Sequence, residues 1–293
     1  MFRVGILGAE NSHAMAFAQI FNGVDPAYGD EFADIRVVSV GGHYPDANRA
    51  VFEKCGLERI VERPEDMLGD VDAVMITARD GQYHADFARP FIEAGIPAFI
   101  DKPFTRDPQQ ALALARLAKE KGVPLCGGSS VKLTPDVETL CKLFAENRDK
   151  LCSGDVTAPV SLTNEYGNFW FYAAHLVETC LRVFGADPQW VMANRTERGV
   201  TAIVHYPDFD VTEHFTEGAY HYSGTLFTPE GTHYVPISLD NIYAYECRIF
   251  AHMLRTGEMH ERYEDLVRPV FCMAAIEKAF LTGEKQPIES FTL

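Results

Sequence analysis

The chain has 293 residues, 47% of them hydrophobic, and a formal net charge of −16. That length supports two modest domains with their own cores, and the acidic balance excludes a nucleic-acid footprint or an anionic membrane surface as partner. No apolar stretch approaches the ~20 residues that span a bilayer. The seven cysteines form no CxxC pair, so they read as reduced thiols of a cytoplasmic protein, with no metal expected.

From the first residue, short apolar runs alternate with helical patterns. Arg3–Leu7 predicts a strand that runs into a glycine turn, too short and too quickly polar to be a signal peptide. A helix follows over about 12–22, then a strand at Ile35–Val40 and a helix at Pro45–Cys55 ended by Gly56. Strands at Ala73–Thr77, Ala98–Ile100 and Val123–Cys126 alternate with helices at Tyr83–Ala94 and Pro108–Lys121. This alternation predicts parallel βαβ units in a doubly wound, Rossmann-type sheet over residues 1–127.

The pattern then changes. Helices are expected at Pro135–Asn147 and Phe171–Phe184, followed by strand-like runs at Trp190–Arg195, Val200–Tyr206, Val211–Thr216, Tyr222–Thr228 and Thr232–Pro236. Turn residues separate neighbouring strands and no helices intervene, which predicts an antiparallel meander. Two closing helices, about 241–255 and Tyr263–Leu281, complete an α+β domain over 128–293. The fold class is therefore α/β, with a second domain built on a mostly antiparallel sheet. An uncovered face of that sheet is expected to make a homodimer or homotetramer.

Three places carry candidate chemistry. The first turn, Gly8-Ala9-Glu10-Asn11-Ser12-His13, lies where the dinucleotide fingerprint belongs, yet only its first glycine is present. An anionic Glu10 would repel a diphosphate unless its side chain turns away, whereas free N–H groups at the helix start and Ser12 favour an anion. At the end of the second strand, Gly41-Gly42-His43-Tyr44 lacks the carboxylate that usually binds the adenosine ribose. That absence favours NADP, with His43 or Arg49 near a 2′-phosphate, or no dinucleotide at all. The third place is Phe99-Ile100-Asp101-Lys102-Pro103-Phe104, a lysine at a strand end on the ligand-binding rim of an open sheet. Beyond these, His175 and Glu178 share one face of a predicted helix, so Glu178 can orient the ring. The stretch Tyr166-Gly167-Asn168-Phe169-Trp170-Phe171-Tyr172 mixes aromatic and polar groups, as sugar-binding walls do.

In order, the glycine turn, Val71–Thr77, Tyr83-His84, Glu93-Ala94-Gly95-Ile96-Pro97 and Asp101-Lys102-Pro103 resemble the Gfo/Idh/MocA family of glucose–fructose oxidoreductase and inositol dehydrogenase. The family hallmark is E-K-P, here Asp101-Lys102-Pro103. The resemblance implies an NAD- or NADP-dependent enzyme acting on a CH–OH group of a small sugar or polyol. It implies that Lys102 hydrogen-bonds the reacting hydroxyl and that His175 is the acid/base, with Glu178 and Tyr172 beside it. The family commonly has an Asp four residues before that histidine, where this chain has Phe171. The expected cofactor-binding set is Gly8, Glu10, Asn11, Ser12, His13, Gly42, His43, Thr77, Arg79, His84, Asp101, Lys102 and Pro103. The expected substrate set is Lys102, Ser129, Tyr166, Asn168, Trp170 and His175. Two alternatives stand beside this reading: nicotinamide-assisted glycoside cleavage without net redox change, and a catalytically silent relative with a degenerate cofactor site.

Overall fold

A computed structural model describes residues 1–293. It begins with β1 (Phe2–Leu7), α1 (Ser12–Phe21), β2 (Ile35–Gly41), α2 (Pro45–Cys55), the short β3 (Arg59–Ile60) and β4 (Ala73–Ile76). It continues with α3 (His84–Glu93), β5 (Ala98–Asp101), α4 (Pro108–Lys121) and β6 (Leu125–Gly128). The local chemistry that sets these boundaries is plain at α4. Asp107 accepts hydrogen bonds from the N–H groups of Gln109 and Gln110, Pro108 opens the helix, and Gly122 closes it at φ 65°. The six strands pair in the order β3-β2-β1-β4-β5-β6, all parallel. The order reverses between β1 and β4, which makes the crevice beyond their carboxyl ends the ligand position of such sheets.

The second part contains α5 (Pro135–Asn147), β7 (Ser153–Val160), α6 (Phe169–Phe184), β8 (Trp190–Thr196), β9 (Gly199–His205), β10 (Asp210–Glu217), β11 (Ser223–Thr228) and β12 (Gly231–Pro236). The chain closes with α7 (Ile242–Thr256), α8 (Tyr263–Thr282) and the short β13 (Gln286–Pro287). The second sheet runs β12-β11-β7-β10-β9-β8-β13. It departs from the expected meander at one point. β7 lies between β10 and β11 and runs parallel to β10, so β10 and β11 are not neighbours. The sheet is thus mostly, not wholly, antiparallel. β7 contains Gly154, Asp155 and Pro159, residues of low strand propensity, and its place is set by partners distant in sequence.

The chain divides into two compact units, one of residues 1–128, 243–266 and 293, the other of 129–242 and 267–292. The segment 243–266, expected from sequence in the second domain, lies in the first unit. Its place in the first unit has a packing cause. Phe250 and Cys247 of α7 join Phe17 of α1 and Phe99 of β5 in one apolar core, with ring centroids 5.4 Å apart for Phe17–Phe99 and 6.3 Å for Phe99–Phe250.

In the second unit a carboxyl is buried behind the sheet. Burial pushes Glu213 of β10 up to about 7, opposed by a hydrogen bond with Cys180. A carboxyl raised above its unfolded value contributes stability that is fully present below that value and lost as pH rises through the folded one. Glu213→Gln keeps the shape without the ionisation. Its melting temperature is therefore expected to gain on the wild type from about pH 5 to about pH 8, read by thermal denaturation at both values; a constant difference would contradict the assignment.

Candidate functional site

The turn after β1 is built by close backbone approach. A Cβ on Gly8 would lie 2.1 Å from the Ala78 nitrogen, and Gly8 sits at φ 103°, so only glycine fits there. Thr77 holds the same turn, its Oγ1 donating to the Gly8 carbonyl at 2.9 Å. A Cβ on Gly42 would approach the Gly8 nitrogen at 3.0 Å. Gly8, Gly42 and Thr77 therefore shape one rim. Glu10 turns onto the end of β4, where its Oε1 accepts from the Arg79 N–H at 2.8 Å. His43 packs its ring on Tyr83, centroids 4.5 Å apart.

Asn11 caps α1, its side chain accepting from the His13 N–H. Its Nδ2 donates to Asp101 Oδ2 at 2.9 Å. His13 Nδ1 also lies 2.9 Å from that oxygen, and 4.0 Å from Glu246 Oε2 on α7. Ser12 Oγ lies 3.2 Å from the Tyr243 hydroxyl. The residue standing in place of the third glycine thus points inward to a buried acid. Asp101 is fully buried. Burial works to raise its pKa, but the charge and hydrogen bond of His13, followed by the charges of Lys102 and His84, outweigh it and hold the carboxyl at about 2. Ligand-type atoms of His13, Asp101 and Glu246 all lie within 4.8 Å of one another. The Asp101 oxygens already accept from Asn11 and from the Lys102 N–H, and we assign no metal.

Lys102 is 4% exposed and follows Asp101 at the carboxyl end of β5, with a cis peptide to Pro103. His84 fixes this turn. Its Nδ1 lies 2.7 Å from the Pro103 carbonyl and its Nε2 2.7 Å from the Ala78 carbonyl. Both ring nitrogens therefore face backbone carbonyl oxygens. His84, entirely buried, thereby ties the Lys102-Pro103 turn to the loop after β4.

In the second unit, Ser129 opens a single 3-10 turn, Ser130–Leu133. Its Oγ lies 2.7 Å from His175 Nδ1, and its N–H donates to Glu178 Oε2 at 2.8 Å. The same oxygen pairs with Lys132 Nζ at 2.9 Å. Tyr172 lies beside the histidine, ring centroids 5.7 Å apart, and Tyr222 at 6.2 Å. Burial raises the Tyr222 hydroxyl well above its ordinary value. His175, Glu178, Tyr172 and Ser129 are thus together in this unit. Tyr166 packs on Phe171. Asn168 and Trp170 serve the local fold: Asn168 bonds reciprocally with Asn164 at φ 54°, and Trp170 Nε1 donates to Glu277.

Sequence reasoning did not single out Lys132, Tyr222, Tyr243 or Glu246. For Lys132 a signal existed, since it lies four residues beyond the end of β6. The other three are brought in only by tertiary packing.

Comparison with known proteins fits this geometry. Residues 2–128 match the Gfo/Idh/MocA family, described as an oxidoreductase family with an NAD-binding Rossmann fold. That match covers the first domain, residues 2–128 of the 293. It is 26% identical over 208 residues to scyllo-inositol 2-dehydrogenase (NADP(+)) IolW of Bacillus subtilis, a match over 66% of this chain and 54% of that protein. It is 30% identical over 146 residues to inositol 2-dehydrogenase of Corynebacterium glutamicum, over 48% of this chain and 40% of that protein. The matches thus span about half the length of these relatives or less. The fold resembles that of scyllo-inositol dehydrogenase from Lactobacillus casei, solved with NAD(H) and scyllo-inositol. The TM-score is 0.84 at 13% identity, over 99% of this chain and all of that one.

His84→Leu leaves the carbonyls of Ala78 and Pro103 without these partners. The expected loss is about 2–5 kcal/mol of unfolding free energy, measured by urea denaturation; a loss below ~0.5 kcal/mol would remove the clamp from the account.

Proposed function

We propose that this chain is an NAD- or NADP-dependent oxidoreductase that interconverts a hydroxyl and a carbonyl on a small sugar, polyol or related compound, with Lys102 and His175 at the reacting centre. One observation carries the reading: a buried lysine beside an ionised aspartate at a strand end, in a domain of an NAD-binding family. The turn fits a dinucleotide. Gly8 and Gly42 let the rim loops pack closely on one another, α1 offers first-turn N–H groups, and the Glu10 carboxylate is engaged by the Arg79 N–H. Gly8, Asn11, Ser12, Gly42 and Thr77 would hold the cofactor, which when bound supplies the hydride acceptor or donor.

The protein's own groups handle charge and protons. Lys102 stabilises alkoxide character on the substrate oxygen. His175 exchanges the hydroxyl proton near neutral pH, and Tyr172 flanks it. The absence of a carboxylate after β2 favours NADP, with His43 or Arg49 toward a 2′-phosphate, and the IolW relative is named for NADP(+). A silent relative is the second reading, favoured by Glu10 in place of a glycine; the engagement of that carboxylate by backbone weighs against it.

The free thiols of all seven cysteines support a cytoplasmic setting, and no helix is long and apolar enough to cross a membrane. Exposed Met192, Ile203, Phe227 and Tyr234 on the second sheet support a homo-oligomer through that face. Light scattering is expected to give a dimer or tetramer mass, and a monomer would end that part of the reading.

Titration calorimetry is expected to show binding of NAD(H) or NADP(H), and a panel of inositols and sugars to reveal a substrate whose oxidation builds up reduced cofactor. Binding of neither by folded protein would defeat the proposal. Lys102→Ala is expected to lower kcat about 100- to 1000-fold; unchanged turnover would take Lys102 out of the site.

A further inference from the structure

We infer that Ser129 decides which ring nitrogen of His175 carries the proton, and that Lys132, through Glu178, holds Ser129 in position. The inference rests on the reading of His175 as the group that exchanges the substrate proton. It starts from a match of spacings. Ser129 and Lys132 are three residues apart on one turn, and His175 and Glu178 are three apart on α6. The two pairs meet at Ser129 Oγ–His175 Nδ1, 2.7 Å, and Lys132 Nζ–Glu178 Oε2, 2.9 Å.

The hydroxyl's own bonding sets the direction of the first contact. A serine hydroxyl has one hydrogen and two acceptor positions. Ser129 Oγ already accepts from the Val131 N–H at 3.2 Å, and Ser129 is completely buried. That leaves its hydrogen and one lone pair for His175 Nδ1, and in the inferred resting state the hydrogen is the one directed there. A neutral imidazole has a single N–H, so a ring that accepts at Nδ1 carries its proton on Nε2. In that state His175 offers a donor to an incoming carbonyl oxygen. To take a proton from a hydroxyl at Nε2, the ring must carry its own at Nδ1, and Ser129 must turn from donor to acceptor on its remaining lone pair. A hydroxyl serves both states, while alanine serves neither.

The second contact explains a buried lysine. Lysine is almost never fully buried unless paired, yet Lys132 and Glu178 are each 5% exposed. The Lys132 amine pairs with Glu178 Oε2, and the same Oε2 takes the Ser129 N–H at 2.8 Å. A charge-assisted bond of this kind fixes the peptide plane of Ser129, and with it the direction of Oγ. Ser129 and Lys132 are positioning residues, acting on substrate through His175 alone.

Histidine-selective ¹⁵N labelling tests this in the full chain, with the His175 signals assigned by their loss in His175→Gln. Above the ring's titration, the wild type is expected to show Nδ1 unprotonated and Nε2 protonated. Ser129→Ala is expected to populate both tautomers, and Ser129→Thr to restore the single one. With a substrate in hand, Ser129→Ala should lower kcat on the order of ten- to a hundredfold, below the full worth of acid–base catalysis. KM should change little, and Ser129→Thr should recover most of the rate. A protonated Nδ1 in the neutral wild-type ring, or a tautomer unchanged in Ser129→Ala, would overturn the assignment. Lys132→Arg keeps the charge and is expected to keep the tautomer, whereas Lys132→Met should blur it. A tautomer held in folded Lys132→Met would remove Lys132 from the inference. If His175→Ala keeps turnover, the proposed function fails at that residue while the tautomer result still decides the role of Ser129.

Discussion

A buried, ionised carboxylate organises the first unit. Asp101 has no exposed surface, and an unpaired charge in that position would cost several kcal/mol. It is retained because three groups converge on it: the Asn11 amide at the cap of α1, the His13 imidazole of α1, and the Lys102 N–H beyond its own strand. The pairing is mutual. The acid stays ionised because the imidazole is near, and the first turn of α1 is held in place because the acid is ionised. Its stabilising contribution exists above the unfolded carboxylate value and fades only as pH falls toward about 2. Lys102 inherits its position from this knot.

The rim around Lys102 is defined by contacts with little room for change. Gly8 lies against Ala78 and Gly81 against Pro103, where a Cβ would come within 2.6 Å of the ring Cγ. The His84 ring spans the carbonyls on either side. The second unit uses the same economy with different groups. A buried ammonium–carboxylate pair anchors a serine, and the serine touches the histidine. In both units a charge out of contact with solvent orients a neighbouring group at the end of a parallel strand or of the turn that follows it.

Elements whose boundaries are written locally were legible from sequence. α2, α4 and α5 begin at a proline and were placed to the residue, because a proline fixes the first helical φ and no longer-range information is needed. β10 was legible from its alternation of buried and exposed residues. β7 was not, because Gly154, Asp155 and Pro159 blur its period and its neighbours come from positions 210–217 and 223–227. The candidate site divides along the same line. The rim lysine and the helical histidine carry sequence signals of their own. The link from His13 to Asp101, 88 positions apart, and the turn of Ser129 toward His175 exist only after folding. Tyr243 and Glu246 belong to a helix that packs on the first core from the far end of the chain.

The residues that replace glycines in the irregular fingerprint are engaged by other parts of the first unit. Glutamate in place of the second glycine puts an anion near the turn proposed to bind phosphate, which by itself would weaken an anion site. The carboxylate is instead engaged by a backbone N–H at the end of β4, so the substitution stitches two rim loops together. Losing the third glycine to histidine would crowd the helix against its strand, but the side chain finds a buried acid where the family motif has its own. The aspartate in place of the usual E-K-P glutamate is one methylene shorter, and His13 and Asn11 reach it from the other side. The residues at positions 13 and 101 are therefore physically coupled. Glycine at 13 alone would remove one of the three groups that hold the Asp101 charge, leaving the Asn11 amide and the Lys102 N–H.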